Sequence, residues 1–502
     1  AKVFDAAEVA KHNKEGDCWV IIDGKVYDVS KFAKFHPGGT NVLIKSGGKD
    51  ATDEFNALHD VKQVMSKYEK RLLIGTVAGP AAKQKRQVGD GSLLRTPFGE
   101  NHLPYAEPYW YRGTFKSPYY TEDHCRFREK IRAWVEKDVA PFIQQWEEAQ
   151  DYPRDLHQRA YAAGIYGACW PKEWGGTPPQ GGFDPFMDLV FWDELARFGG
   201  GWLAACFLTI NIALPPILAL GSDYIRNLVC RDVITGKKII ALAITEPWAG
   251  SDVANIRTTA RREGDHYVVN GEKKFITSGM KADFFTCAVR TGGEGMKGIT
   301  LLLIERNTPG ITTRKLKTQG WSSSNTAYIT FEDVRVPVKN VVGAENQGFL
   351  AIMLNFNHER FAGIAMTVRG CRLCIEEAVK YARNRKTFNK RLADHQVIRH
   401  KIAEMVRQTE AAQAWLEQIT FQMKQGVNPA VVGGSMALLK VHCTTLIEFC
   451  AREASQILGG NSCLRTGPGA RVERIYRDVR IGAIGGGSEE VMRDLAMRQA
   501  RL

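Results

Sequence analysis

The sequence predicts a multidomain protein in which a small mixed α+β domain precedes a helical domain, a β domain and a second helical domain. Its 502 residues exceed the roughly 150 that one domain usually holds, so several compact units are expected. The hydrophobic share of 44% and the charged share of 25% are typical of soluble globular domains. The third observation is a change in pattern, from helical spacing of apolar residues to short β-rich runs near residue 239 and back near residue 346.

The first predicted domain covers residues 1–77. Its clearest signal is a pair of β-rich runs, Cys18–Ile22 and Lys25–Val29, separated by Asp23-Gly24. An Asp-Gly pair between two such runs favours a type I′ hairpin turn. The composition changes over residues 78–118. The segment is first rich in Ala, Gly and Pro, then basic, and finally polar and aromatic, and it shows no helical or strand periodicity. This composition predicts a linker.

The remainder of the chain divides into three predicted domains. Apolar residues at helical spacing, broken by Gly and Pro, predict a helical domain over 119–238. Short β-rich runs predict a β domain over 239–345, with Asn270-Gly271 as a hairpin turn. The helical period returns over 346–502 and predicts a C-terminal helical domain.

Charge and cysteine content limit the classes of function. The net charge of +13 would suit a polyanion such as nucleic acid. Eight basic residues against one acidic residue lie between Lys380 and Lys401, which indicates either a solvated helix face or a phosphate site.

The 11 cysteines show neither zinc spacing nor a disulfide framework, so a reducing intracellular compartment is expected. The apolar run Ala204–Leu220 is interrupted by Asn211 and two prolines and predicts no membrane span.

Two histidines in the first domain are candidate metal ligands. His36 begins a His-Pro-Gly-Gly motif, and His59 lies 23 residues later. Two facing imidazoles can fill both axial positions of a haem iron, which favours electron transfer. Together with Trp19 and Leu73-Ile74-Gly75, these motifs resemble the cytochrome b5 family over residues 3–77. The resemblance implies that His36 and His59 bind the iron of a non-covalent haem b, since no CxxCH motif is present.

A second set of motifs covers residues 119–502. The segment Ala243–Asp252 begins as a buried strand and ends in a Gly-Ser-Asp turn, where backbone N–H groups and hydroxyls converge. Further motifs are Lys274–Gly279, Asp333–Pro337, Gly343–Gly348, Arg385–Phe388 and Gln456–Gly460. Together they resemble the acyl-CoA dehydrogenase family. The resemblance implies an α-helical domain, a β-barrel-like middle domain and a C-terminal α-helical bundle.

The same resemblance implies FAD as cofactor and an acyl-CoA as substrate. It places Thr277 near the N5 edge of the flavin. It also implies that the basic run after Lys380 contacts the phosphates of FAD. The residues that it places at FAD are Thr245, Ser251, Phe275, Thr277, Arg385, Phe388, Gln396, Gln456, Gly459, Gly460, Ser488 and Glu490. Several of these contacts cross a subunit boundary in the family, so a homodimer or homotetramer is expected. One departure is Asn389, which replaces a usual Gly.

The reaction needs a base that removes the α-proton of a thioester while a hydride leaves the β-carbon. A carboxylate with a raised pKa suits that task. Most family members carry this Glu near the C-terminus, where the chain has Gly486. A branch that includes isovaleryl-CoA and long-chain acyl-CoA dehydrogenases carries it at the position of Glu359, which shares an apolar helical stripe with Phe356. We therefore predict Glu359 as the base. The alternative for Glu359 is a structural ion pair with a basic neighbour. The alternative bases are Glu489 and Glu490.

The resemblance places the acyl-CoA against Ser251, Phe356, Asn357, Arg360 and Gly486. The Gly486 N–H can donate to the thioester oxygen and stabilise the enolate. We expect an FAD-dependent acyl-CoA dehydrogenase that forms a trans-2-enoyl-CoA and passes electrons from FAD to the fused haem, and then to a downstream acceptor. The alternatives are an acyl-CoA oxidase using oxygen and a basic DNA-associated flavoprotein of the same fold.

Two further expectations concern partners and location. The chain lacks a basic tail interleaved with aromatic residues, so no nucleic-acid partner is expected. Its last three residues, Ala500-Arg501-Leu502, form a conservative variant of the peroxisomal Ser-Lys-Leu signal. They predict a peroxisomal location; otherwise a cytoplasmic or mitochondrial matrix location is expected.

Overall fold

The computed structural model describes residues 2–52, 54–55, 59, 61–78, 103–111 and 117–501. Most of the predicted linker and the last residue of the predicted peroxisomal signal, Leu502, lie outside these residues. The linker and the peroxisomal location therefore stay predictions.

The N-terminal domain is a five-stranded sheet with short helices. Its strands are β1 (Lys2–Asp5), β2 (Asn13–Lys14), β3 (Asp17–Ile22), β4 (Lys25–Asp28) and β5 (Leu73–Ala78), in the order β1-β5-β4-β3-β2. Its described helices are α1 (Ala6–Val9), α2 (Thr40–Ser46) and α3 (Val61–Leu72). The predicted hairpin is present between β3 and β4. Asp23 and Gly24 have φ of +50° and +74°, the left-handed values that a type I′ turn requires.

The next domain is helical, as predicted. Its helices are α4 (Glu122–Asp138), α5 (Ile143–Ala149), α6 (Leu156–Ala162), α7 (Pro185–Leu195), α8 (Gly201–Ala213), α9 (Pro215–Leu220) and α10 (Asp223–Ile234). The Asp184 side chain accepts a 2.8 Å hydrogen bond from the Met187 N–H and caps α7. The long apolar run of the sequence forms α8 and α9, which meet at Pro215. Leu203, Phe207 and Ile217 are buried, so the run belongs to the core.

The middle domain is built on a sheet of eight described strands. They are β6 (Ile240–Ala243), β7 (Thr259–Glu263), β8 (His266–Ile276), β9 (Phe284–Arg290), β10 (Ile299–Glu305), β11 (Ile311–Lys315), β12 (Ala327–Pro337) and β13 (Val341–Val342). The order is β11-β12-β8-β7-β9-β10-β13, and β6 pairs in parallel with β9. The β domain predicted from short β-rich runs is confirmed.

The predicted hairpin turn at Asn270-Gly271 is wrong. Both residues lie inside β8, and the turn between β7 and β8 is formed by Gly264 and Asp265. Asn270 lies opposite a β-bulge in β12, where its Nδ2 donates to Asp333 Oδ1 (3.0 Å) and its Oδ1 accepts from the Asp333 N–H (2.8 Å). The left-handed residue of the bulge is Asp333, with φ of +50°, and the Asn270 side chain stabilises it from the neighbouring strand.

The C-terminal domain is a bundle of long helices. They are α11 (Gly348–Asn384), α12 (Gln396–Lys424), α13 (Pro429–Leu458), α14 (Ala470–Ile484) and α15 (Glu489–Gln499), with a small hairpin of β14 (Lys386–Thr387) and β15 (Lys390–Arg391). In the described part of the chain, residues 429–463 form the one helical stretch long and apolar enough to cross a membrane, and 61% of its most apolar window is buried inside the protein. Such burial is typical of a core helix.

Residues 103–111 lie within the region of linker-like composition, and they pack against the helical domain. Trp110 and Tyr111 are 3% and 1% exposed. Four guanidinium groups surround the Glu107 carboxylate, those of Arg128, Arg132, Arg197 and Arg369. Burial alone would raise the pKa of Glu107, but these cations hold that pKa well below its usual range.

We expect Glu107→Gln to lower the free energy of unfolding by about 3–5 kcal/mol, because removing one partner leaves buried charges uncompensated. The stabilisation should be present above the usual pKa of a glutamate and should disappear as the pH falls through the lowered pKa of Glu107. Thermal denaturation followed by circular dichroism at pH 7 and pH 3 measures both effects. The control is Glu404→Gln, which breaks an exposed pair with Arg407. Equal transitions for the two variants would contradict the prediction.

Candidate active site and haem site

The two predicted haem ligands face each other in the N-terminal domain. The ring centroids of His36 and His59 lie 5.9 Å apart. An iron with bonds of about 2 Å to one nitrogen of each ring needs a centroid separation of about 6 Å. Burial and the neighbouring His59 lower the pKa of His36, which keeps its imidazole neutral, as a metal ligand must be.

Ring nitrogens and aromatic side chains around the histidines fit a haem. Within the described residues, His36 Nδ1 is buried and has no hydrogen-bond partner. His59 Nδ1 lies 3.1 Å from the Phe55 carbonyl oxygen, which leaves Nε2 for a metal. Phe55 also stacks on His59 at 4.7 Å. A Cβ on Gly38 would lie 3.0 Å from the His36 ring, so glycine lets the backbone approach this ligand closely.

Strand ends of the middle domain bring two predicted flavin contacts to one edge of the sheet. Thr245 follows β6, and Thr277 follows β8. The Lys274 N–H donates a 2.8 Å hydrogen bond to the Thr245 carbonyl oxygen, which joins the two strand ends. Both threonines are half-buried, whereas Phe275 is 58% exposed. Two hydroxyls and an exposed aromatic ring thus lie at this edge.

A buried ion pair fixes the loop that carries Ser251. Lys273 Nζ lies 2.8 Å from Glu246 Oε1, and neither side chain is exposed. The Glu246 carboxylate also accepts from the backbone N–H groups of Arg257 (2.6 Å) and Thr258 (3.0 Å). The two ends of the loop are therefore held together, while Ser251 itself is exposed.

The hairpin of β14 and β15 carries the next predicted FAD contacts. Phe388 and Asn389 have φ of +50° and +62°, the pair of left-handed residues of a type I′ turn. This geometry explains why a Gly is usual at position 389 and why Asn replaces it, since Asn tolerates this conformation best after Gly. The Phe388 side chain is 90% exposed, and Arg385 ends the helix before it.

The other predicted FAD contacts of the C-terminal domain lie at its surface. Gln396, Gln456, Gly459 and Gly460 are exposed. A Cβ on either glycine would meet no atom within 4 Å, so open space lies over the Gly459-Gly460 turn. Ser488 caps α15, where its Oγ accepts from the Val491 N–H at 3.5 Å, and Glu490 follows it in an exposed position.

The predicted base lies beside the glycine that replaces the usual acid. Glu359 is half-buried on α11, and Gly486 lies in the turn between α14 and α15 with φ of +68°. A Cβ on Gly486 would lie 3.7 Å from Glu359 Oε1. Burial raises the pKa of Glu359, although the cations of Arg360, Lys440 and His358 oppose the rise. The site therefore holds one carboxylate with the raised pKa that a general base needs.

The structure gives less support to the alternatives, which are a structural ion pair for Glu359 and a base at Glu489 or Glu490. Within the described residues, Glu359 makes neither a hydrogen bond nor an ion pair. The Glu489 Oε1 accepts a 2.7 Å hydrogen bond from Thr444. Glu490 is exposed, and its pKa is lowered by its own backbone N–H and by the Ser488 hydroxyl. The roles of all three carboxylates stay predictions.

Comparisons with known families identify both parts of the chain. Models of the acyl-CoA dehydrogenase N-terminal, middle and C-terminal domains match residues 121–237, 241–334 and 346–500. An acyl-CoA dehydrogenase of Alternaria alternata is 39% identical over 415 residues, which cover 79% of this chain and 95% of that protein. The chain belongs to the acyl-CoA dehydrogenase family. A model of the cytochrome b5-like haem/steroid binding domain matches residues 5–78, so both resemblances are confirmed.

Two further relatives support the assignment to the acyl-CoA dehydrogenase family. The mitochondrial long-chain specific acyl-CoA dehydrogenase of Rattus norvegicus is 31% identical over 387 residues, 76% of this chain and 87% of that protein. The crystal structure of a probable acyl-CoA dehydrogenase from Mycobacterium abscessus superimposes with a TM-score of 0.72 at 39% identity, over 76% of this chain and 100% of that one. The protein is thus a flavoprotein oxidoreductase with a cytochrome b5-like domain.

In this acyl-CoA dehydrogenase, the predicted substrate residues are linked to the turn at Gly486. Arg360 Nε donates to the Gly486 carbonyl oxygen (3.3 Å), and its Nη1 donates to Asn357 Oδ1 (3.1 Å). Asn357 Nδ2 donates to the Pro429 carbonyl oxygen (2.9 Å). The Arg360 guanidinium also lies 5.7 Å from the Phe356 ring centroid. These contacts join α11, the start of α13 and the turn.

Sequence reasoning missed Lys273, Glu246 and Lys440. Lys273 occupies an inward-facing position of β8, and a lysine there is a signal of a buried partner. Lys440 lies in the apolar helix α13 and gives the same signal. A cavity of about 260 Å³ was also not predicted; its lining includes His358 of α11, Asp188, Trp170 and Asn211.

We expect His36→Ala and His59→Ala each to abolish the low-spin haem spectrum of the reduced full-length protein, because each removes one axial ligand. Absorption spectra after reconstitution with haem and reduction by dithionite check this. His12→Asn is the control, since His12 lies in the same domain and pairs with Asp17. A wild-type spectrum from either alanine variant would remove that histidine as a ligand.

Proposed function

We propose that this protein is an FAD-dependent acyl-CoA dehydrogenase that converts an acyl-CoA to its trans-2-enoyl-CoA, with Glu359 as the base. The proposal is carried by the half-buried Glu359 carboxylate beside Gly486. Since burial raises the pKa of Glu359, its affinity for a proton is higher than that of an exposed glutamate. Glu359 can therefore take the α-proton of a thioester whose acidity is increased by hydrogen bonding at the carbonyl oxygen.

Residues of this chain would hold both cofactors. Thr245 and Thr277 offer hydroxyls to the flavin ring, Arg385 offers a cation to the pyrophosphate, and His36 and His59 offer imidazoles to haem b. The exposure of Phe388 and the open space over Gly459-Gly460 support an FAD site completed by a second subunit of a homodimer or homotetramer. FAD supplies a hydride acceptor, and haem b supplies a one-electron acceptor that can pass electrons onward.

The chain's own residues would orient the thioester. The Gly486 N–H donates to the thioester oxygen, and Ser251 contacts the acyl-CoA. Arg360 and Asn357 keep the turn against α11 through their hydrogen bonds to Gly486 and Pro429. The absence of a side chain at Gly486 leaves the space that Glu359 needs to reach the α-carbon.

We expect Glu359→Gln to lower the rate of flavin reduction by acyl-CoA by about 10²–10⁴-fold, because it removes the general base. Anaerobic stopped-flow mixing of the FAD-loaded protein with a panel of acyl-CoAs measures the rate. In the wild type the rate should increase with pH through a pKa above the usual range of glutamate, since only the ionised carboxylate takes a proton.

Glu404→Gln, on an exposed face of α12, is the control and should reduce its flavin at the wild-type rate. Wild-type rates in Glu359→Gln would contradict the assignment, and a loss confined to Glu489→Gln would move the base there. Oxygen consumption with peroxide formation would instead indicate an oxidase. A salt-sensitive DNA shift without flavin reduction by any acyl-CoA would favour the DNA-associated alternative.

We also propose that electrons from FAD reach the haem of the same molecule. A covalent link between the two domains raises their effective concentration into the millimolar range. After anaerobic mixing with acyl-CoA, flavin absorbance should fall first and the haem bands should follow, at a rate independent of protein concentration. Haem that stays oxidised, or a rate proportional to concentration, would rule out the intramolecular path.

A further inference from the structure

A buried lysine holds the turn that lies beside the predicted base. Lys440, on α13, is 5% exposed. Its Nζ donates to the carbonyl oxygens of Ala483 (2.9 Å) and Gly487 (2.6 Å). These two carbonyls flank Gly485 and Gly486, so one ammonium group fixes both ends of the segment that contains Gly486.

The segment needs such support because its own sequence is flexible. Residues 485–487, called the glycine turn below, are three consecutive glycines, and glycine loses more conformational freedom on folding than any other residue. Gly486 and Gly487 adopt φ of +68° and +105°. Arg360 holds the middle carbonyl, that of Gly486, at 3.3 Å. Two cations on two different helices therefore fix the direction of the backbone at the glycine turn.

Lys440 also contributes to the charge around the base. The charged groups that face Lys440 are Glu489 and Glu490 on α15 and Glu359 and Arg360 on α11. Burial lowers the pKa of Lys440 to about 8, so the ammonium form is present at neutral pH. The cations acting on Glu359 are Arg360 and His358 on its own helix and Lys440 on α13, and each opposes the rise in the pKa of Glu359 caused by burial.

We propose that Lys440 is a positioning residue of the dehydrogenase reaction. Its ammonium group fixes the glycine turn so that the Gly486 N–H meets the thioester oxygen, and it places positive charge near the Glu359 carboxylate. This inference rests on the proposed function. Lys440 itself neither accepts nor donates a proton in the reaction.

Hydrogen–deuterium exchange of the full-length FAD-loaded protein, without substrate, tests the positioning. In Lys440→Met, amides of residues 484–488 should exchange about tenfold faster or more, because two hydrogen bonds to a charged donor are lost. The control is Met436→Ala, which removes a buried side chain one turn earlier on α13 and leaves Lys440 in place. Unchanged exchange at the turn in Lys440→Met, or equal acceleration in both variants, would overturn the proposal.

Flavin reduction tests the consequence for the reaction. At saturating acyl-CoA, Lys440→Met should reduce its flavin about 10–100-fold more slowly, as expected for a misplaced oxyanion donor, with the half-saturating concentration changed less than about threefold. The midpoint of the pH profile should shift upward, because a cation that lowers the pKa of Glu359 is gone. Met436→Ala should lose stability and keep both the wild-type rate and midpoint.

Lys440→Arg keeps the charge and should restore the midpoint, and Lys440→Gln provides a second neutral variant if the methionine variant does not fold. An unshifted midpoint, or a defect confined to the half-saturating concentration, would overturn the role of Lys440 while the proposed function stands. A wild-type protein that no acyl-CoA reduces would instead overturn the proposed function, and this inference with it.

Discussion

The proposed dehydrogenase site depends on one carboxylate that is partly removed from water, that of Glu359. Glu359 lies beside Gly486, where an added Cβ would be in van der Waals contact with Glu359 Oε1 at 3.7 Å. An acid at both positions would place two like charges in contact, and at least one of them would stay protonated. Around the proposed base, the cations of Arg360, Lys440 and His358 oppose the rise in the pKa of Glu359 that burial causes.

Buried charge recurs throughout the fold, and in each case it connects elements that are distant in the sequence. Glu107 brings together arginines of α4, α11 and the end of α7. Lys273 and Glu246 join two strand ends near the predicted flavin contacts Thr245 and Thr277, and Lys440 joins α13 to the glycine turn. Removing one partner of a buried charge pair lowers the free energy of unfolding by more than the intact pair adds to it. Substitutions at these residues should therefore be strongly destabilising.

The domain order was predictable because hydrophobic period and turn residues are local signals. The Asp23-Gly24 hairpin and the change of period near residue 239 needed only neighbouring residues. The prediction at Asn270-Gly271 was wrong because the Asn270 side chain bonds the bulge residue Asp333 of β12, a contact with a residue 63 positions later that the local pattern does not show. Lys440 was missed for a related reason. Its partners are backbone carbonyls more than 40 residues away, and because every residue has a carbonyl group, the sequence does not show which of them a lysine will bind.

The packing of residues 103–111 also fixes the point at which the chain from the cytochrome b5-like domain reaches the helical domain. Because Glu107 and its four arginines fix this segment to the helical domain, the length of chain between Ala78 and Leu103 alone limits the distance between these two residues. A fully extended chain spans at most about 3.6 Å per residue, which bounds this distance at roughly 90 Å however residues 79–102 are arranged. If the Glu107 cluster opened, residues 103–111 would add to this length, and the greatest separation between the proposed electron donor and acceptor would increase.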